Sequence, residues 1–277
     1  MPGKVLASSL LGATARWTAG VRALESEREA RLFEDPWAAA LAGEQGRAWV
    51  EQRTADRVVP IVLRTRYFDD FLNRIAYENG VRQVVLLAAG LDTRAYRLDW
   101  PQPTRLFELD QPEVLRHKVD VLQAAGARAR CERLAIGVDL TSGWEAALLS
   151  RGFNAHQPSV WLLEGFLFYL CNDSVTALLD KVSSLAAPGS WVGFDIINRE
   201  VLSSEWTRPW VEMQASLGAP WIGTMDAPRA FLAARGWRAT ITQAGASDAN
   251  YGRWLLPVIP TDMPDMPHNW LVTAVKE

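Results

Sequence analysis

From residue 83 onward, short continuous apolar runs alternate with stretches of helical periodicity, and that rhythm restricts the fold more than any other feature. The first run, Gln83-Val84-Val85-Leu86-Leu87-Ala88, shows no polar alternation. That is the pattern of a strand covered on both faces. Four similar runs follow at 104–109, 133–138, 160–163 and 191–197, separated by helical stretches at 112–125, 143–150 and 174–187. Strands that alternate with helices imply right-handed βαβ units and a doubly wound parallel sheet. Residues 227–235 read as a last helix, and 237–242 and 270–275 as two final strands. The expectation is therefore α/β, with about seven strands.

The first 80 residues carry no convincing strand. RALESEREAR, residues 22–31, alternates charge at helical spacing, and Glu34-Asp35-Pro36 opens another helix. Residues 54–79 read as one long helix with Ile61, Val62, Phe68, Phe71, Leu72 and Ile75 on one face. Pro60 predicts a break or kink within it. The expected organisation is a helical cover over 1–80 and a sheet domain over 81–277. A stretch at about 199–225, with Trp206, Trp210 and Trp221, is expected to build much of the ligand pocket.

Charge and composition narrow the class. With 29 Lys+Arg against 32 Asp+Glu, the net charge is −3, and no basic block suggests a nucleic-acid groove. The longest apolar stretch, 160–170, is interrupted by Glu164 and falls short of the ~20 residues that span a membrane. MPGKVLASSLLGATARW makes a poor signal peptide. Cys131 and Cys171 lie in no CxxC motif or His cluster, which leaves no footing for a zinc site or a disulfide framework. The cytoplasm is the expected compartment.

In an open α/β sheet, ligands bind outside the carboxyl ends of the strands. The first strand ends in Ala88-Ala89-Gly90-Leu91-Asp92-Thr93-Arg94, a small-residue turn that lets backbone approach a ligand. One glycine stands there rather than three, so the G-x-G-x-x-G dinucleotide fingerprint is not met. The second strand ends in Phe107-Glu108-Leu109-Asp110, with acids 18 to 20 residues beyond Gly90, where a βαβ site grips ribose hydroxyls. Spacing alone leaves open whether Asp110 does this or caps the next helix. Asp139, after the third strand, can accept from an exocyclic amino group or serve as a cap, and the cap is the plainer reading. Glu164 stands inside an apolar run, where a carboxylate is costly unless paired. That favours a functional role.

Five phrases in order, RTRYFDD, AAGLDTRAYRL, FELDQPEVLRHK, GVDL and LLEGFLFYL, resemble the leucine carboxyl methyltransferase family, including its bacterial polyketide O-methyltransferase-like branch. The resemblance runs from about residue 18 to 193. It implies a class I S-adenosylmethionine (SAM) methyltransferase fold, a seven-stranded Rossmann-like sheet with an antiparallel last strand. By the same resemblance Arg64 binds the methionine carboxylate of SAM, and Ala88, Ala89 and Gly90 form the glycine loop, followed by Asp92. Ala88 replaces the family's first glycine, which a negative φ would tolerate. Asp110 takes the ribose, with Glu108 as its rival. Asp139 and Leu140 contact adenine, and Glu164 is the acid after the fourth strand. RALESEREARLFEDP matches a segment that covers the cofactor and brings Arg22 towards it.

The implied activity is methyl transfer from SAM, yielding S-adenosylhomocysteine (SAH), to an oxygen of a small-molecule acceptor. A carboxylic acid such as a polyketide-type secondary metabolite is the expected partner. Tyr169 is expected to orient it at most. A nicotinamide-dependent oxidoreductase is the rival from another class, although it lacks the glycines and has no use for Arg64. A methyltransferase fold without catalysis is the second rival, kept open by Ala88.

Overall fold

A computed structural model describes the backbone of residues 8–51 and 55–277. The reading of residues 1–17 as a poor signal peptide, the expected cover over 1–80 and the start at Thr54 of the expected long helix therefore fall partly outside the described residues. In chain order the elements are α1 (Ser8–Ser26), α2 (Ala38–Glu51), α3 (Ala55–Glu78), β1 (Gln83–Leu87), α4 (Arg94–Arg97), β2 (Arg105–Asp110), α5 (Pro112–Ala124) and β3 (Glu132–Gly137). Then follow α6 (Trp144–Ser150), β4 (Ser159–Leu163), a 3-10 turn (Leu167–Tyr169), α7 (Asn172–Leu185), β5 (Trp191–Ile197), α8 (Glu200–Ser203) and α9 (Arg208–Ser216). The chain ends with α10 (Pro228–Ala233), β6 (Trp237–Gln243) and β7 (Asn269–Lys276).

The strands form one sheet in the order β3-β2-β1-β4-β5-β7-β6. The first five are mutually parallel, and β7 runs antiparallel to both β5 and β6. Two-sided burial explains the unbroken apolar runs. Val85 and Leu87 of β1, with Trp161 and Leu163 of β4, face a core closed by Trp144 and Leu148 of α6 and Val175, Leu178 and Leu179 of α7. Val84, Leu86, Val160 and Leu162 point the other way, onto Phe68, Phe71, Leu72 and Ile75 of α3. The order reverses between β1 and β4, which opens a crevice at their carboxyl ends.

Two local expectations change. Helix α1 stops at Ser26 instead of running to Arg31, because Glu25 turns back to accept the Leu32 N–H and Arg22 is claimed by Asp35. These tertiary bonds outweigh the helical charge spacing of a polar segment. Helix α3 continues through Pro60 without a break. The missing N–H removes one backbone bond, while the apolar face of α3 fixes the rest of the helix on the sheet. The tryptophan-rich stretch at 199–225 contains a helix, α9, with Pro209 in its first turn. Among the described residues, no helix is long and apolar enough to cross a membrane.

Helices α1 and α2 cross at Gly20 and Gly46, so closely that a Cβ on Gly20 would stand 2.6 Å from the Gly46 carbonyl oxygen. A backbone atom cannot move aside as a side chain can. Gly20→Leu should therefore destabilise the fold by about 1–3 kcal/mol through overpacking, despite gaining ~1 kcal/mol of helix propensity. Thermal unfolding would show a melting temperature lower by several degrees.

Candidate active site

The crevice holds a cavity of about 760 Å³. Its floor is the set of loops that leave β1, β2, β3 and β4, and its roof is α1, α3 and α9. Such a volume is in the range of small-molecule sites, about 300–1,000 Å³.

The loop after β1 is drawn onto β2 by two bonds. Ala89 N–H donates to the Leu109 carbonyl at 3.1 Å, and Gly90 N–H donates to Asp110 Oδ2 at 2.6 Å. Asp110 Oδ1 accepts from Gln111 N–H at 2.7 Å. Gln111, not Asp110, occupies the N-cap of α5. Burial pushes the Asp110 carboxyl up, against the two backbone N–H groups that favour its charge. Gly90 has φ +48° and Ala88 has φ +54°. The negative φ that would have made Ala88 innocuous is therefore not met: its Cβ sits in the left-handed region, which costs roughly 1–2 kcal/mol for a side chain.

Behind the loop lies a connected set of buried charges. Arg64 of α3 donates to Asp195 of β5 at 2.8 Å and to Glu164 at 3.0 Å. The other oxygen of Glu164 is 2.8 Å from Arg94 Nη1. Arg94, only 2% exposed, also bonds Asp69 and Asp92. Asp69 passes the chain to Arg97. Asp35 accepts from Arg22 Nε at 2.8 Å and from Thr93 Oγ1 at 2.6 Å, while Arg22 reaches the Leu91 carbonyl at 2.7 Å. Burial works against the charge on Arg64, and the Asp195 and Glu164 carboxylates more than offset it, so its pKa rises. Burial raises Asp195 in spite of Arg64. Burial would also raise Asp92, but the Arg94, Lys118 and Arg97 cations overcome it and hold its carboxyl at about 2.

Of the residues expected in the site, Arg22, Arg64, Ala88, Ala89, Gly90, Asp92, Asp110, Asp139, Leu140, Glu164 and Tyr169 all line the cavity. Glu108 does not. It is fully buried one strand repeat below Asp110, between Lys118 at 2.8 Å and Arg133 at 2.6 Å. Helix α5 covers that level of β2 and supplies the lysine, so Glu108 cannot reach a ligand in the crevice. Asp139 does not cap α6, whose N-cap is Gly143; it accepts the Thr141 N–H at 2.8 Å at the exposed rim. Trp210 and Trp221 line the cavity, whereas Trp206 is exposed. Sequence reasoning passed over Asp195 and Arg94. Asp195 lies in the apolar run of β5 as Glu164 follows that of β4, so the argument that singled out Glu164 would also have found it. Among the described residues, no group of His, Cys, Asp and Glu side chains could hold a metal ion.

A sheet of this order with its cavity over the β1–β4 crevice defines the class I methyltransferases, and a Thermobifida fusca protein assigned as a methyltransferase shares the fold at a TM-score of 0.64. That match covers 95% of this chain and 94% of the other at 15% identity. Residues 15–183 match the family model for leucine carboxyl methyltransferase. A Frankia alni protein named as an S-adenosyl-L-methionine-dependent methyltransferase is 40% identical over 276 residues, covering 95% of this chain and 94% of the relative. A Streptomyces avermitilis protein of the same description is 41% identical over 253 residues, covering 87% and 88%. The chain belongs to the leucine carboxyl methyltransferase family and is a SAM-dependent methyltransferase, which sets aside the nicotinamide oxidoreductase.

The depressed pKa of Asp92 makes a linkage prediction. Its folded value lies below the ordinary 3.8. Its contribution to stability is therefore present above pH 4 and lost as pH falls towards 2. Asp92→Asn should lose about 2 kcal/mol relative to wild type at pH 7. Urea unfolding at stepped pH should show the gap shrinking below pH 4.

Proposed function

We propose that this enzyme methylates the carboxylate of a small organic acid, a polyketide-type metabolite being the class that suits its walls. The observation that carries the reading is the aromatic and apolar share of the cavity wall, which includes Trp17, Ile61, Phe166, Phe168, Trp210 and Trp221. Tyr169 lines the same cavity, and burial pushes its hydroxyl up to about 12. It stays protonated at neutral pH and can donate a hydrogen bond, but it is no base. His117, His156 and His268 are not among the lining residues. A phenol, near ~10, needs help to ionise at pH 7, whereas a carboxylic acid, near ~4, is already an anion.

The geometry fits the cofactor. Each Asp110 oxygen accepts one backbone N–H, which leaves acceptor capacity for the two ribose hydroxyls. A Cβ at Gly90 would meet nothing nearer than the Ala15 Cβ at 3.7 Å, so the loop offers an open cradle. Arg64 uses two of its N–H groups on Glu164 and Asp195 and keeps donors for the methionine carboxylate. Asp139 and Leu140 are the adenine contacts. Arg22, tied to Asp35 and Leu91, fastens α1 onto the loop.

SAM supplies a methyl group carried on a cationic sulfur. The chain's own residues bind, align and exclude water. Positioning of this kind can lower a barrier by ~7–11 kcal/mol. The aromatic walls keep solvent from the carboxylate, and Tyr169 orients it.

Incubation of the enzyme with labelled SAM and a panel of carboxylic acids and phenols, with products identified by mass, should give methyl esters. Ethers alone would overturn the carboxylate reading. The pH–rate profile should be flat from about 6 to 9 and survive His→Ala at positions 117, 156 and 268; a tenfold rise per pH unit would point to a hydroxyl acceptor. Arg64→Ala should weaken SAM binding by roughly 2–3 kcal/mol, with partial rescue by Lys, as read by tryptophan fluorescence. Unchanged affinity would remove Arg64 from the cofactor site.

A further inference from the structure

We propose that Gln214 selects the acceptor, by hydrogen bonding to a hydroxyl or carboxamide that the acceptor carries away from its methylated oxygen. On α9, Trp210, Met213 and Gln214 follow the i, i+3, i+4 spacing of one helix face, and all three line the cavity. Met213 packs against the cluster of Trp17, Val21 and Ile61 from the cover, and Trp221, beyond α9, packs against Phe168. Gln214 thus lines the cavity on the same helix face as the apolar Trp210 and Met213.

Gln214 is 2% exposed, and its Oε1 is buried without a hydrogen-bond partner. Asn269 Oδ1, also in the cavity lining, is likewise unpaired, whereas the buried amides of Gln83 and Gln243 are paired. Gln83 donates to the Asn154 carbonyl and accepts from the Asn154 N–H. Gln243 is paired with His268 and the Ile259 carbonyl. An amide oxygen left unpaired in a buried position opposes folding, and such an atom in a native protein calls for an explanation. Gln214 lines the cavity, so a group on the bound acceptor is the partner this proposal supplies. An ionised carboxylate has no hydrogen to give to Oε1, so the acid group itself cannot satisfy it. The complement of an amide is a group that both donates and accepts, a hydroxyl or another carboxamide. A site built to bond such a group rejects the analogue that lacks it.

The acceptor being an acid rests on the carboxylate reading; the role of Gln214 does not. Matched probes test it: 6-hydroxy-2-naphthoic against 2-naphthoic acid, and 4-hydroxyphenylacetic against phenylacetic acid. Each is titrated into enzyme saturated with SAH, and assayed for turnover with SAM. Wild type should bind the hydroxylated member at least tenfold more tightly in one or both pairs. Gln214→Met, which keeps the volume, should bring that ratio close to one while SAH affinity stays within twofold and the melting temperature is equal or higher. Equal affinity for both members in wild type, including no detectable binding by either, would overturn the proposal and leave water as the partner of the amide. So would a ratio that survives Gln214→Met, or a loss of SAH affinity in that variant. If the products are ethers, the carboxylate reading fails while the Gln214-dependent ratio is still read from binding.

Discussion

The site depends on the ion pairs that Arg64 makes with Glu164 and Asp195. They join α3, which precedes the sheet, to the carboxyl ends of β4 and β5, and through Glu164 they reach Arg94 at the start of α4. Removing one member would strand a buried charge, and breaking such a pair typically costs about 3–5 kcal/mol. An apolar replacement of the whole set could be as stable, so stability alone does not account for it. What the charges supply is position: they hold an arginine in the cavity wall with donors to spare.

The second constraint is the turn after β1. Asp110 fastens Gly90 by its backbone, and the chain at Ala88 accepts a left-handed conformation that glycine would adopt without strain. Two short bonds to β2 hold the turn against that strain. The carboxylate that shapes the loop is also the one that, on the proposed function, would take the ribose, whereas Glu108, one strand repeat away, is paired with Lys118 of α5.

Much of the architecture was legible because burial on both faces leaves a local mark. The run 191–197 coincides with β5, and the other strands shift by a residue or two at their ends. The lining of the cavity was legible where a motif places a residue at a strand end, as with Asp110, Asp139 and Glu164. Legibility failed where distant groups decide the outcome. Helical charge spacing carried the reading of α1 past Ser26, and only the bonds of Glu25 and Asp35 ended it. Glu108 and Asp110 are equivalent by spacing and differ only in what α5 covers.

The sequence by itself determined the class of sheet, its strand count and the loops that gather at one end. Those follow from the period of apolar residues, a property of neighbouring positions. Tertiary structure alone decided which charges meet, as when Arg64 finds Asp195 across 131 residues of chain. It also decided that Ala88 turns left-handed and that Gln214, its Oε1 buried without a partner, lines the cavity. The reason is that electrostatic and hydrogen-bond satisfaction depend on what surrounds a group in three dimensions, and no local pattern records that.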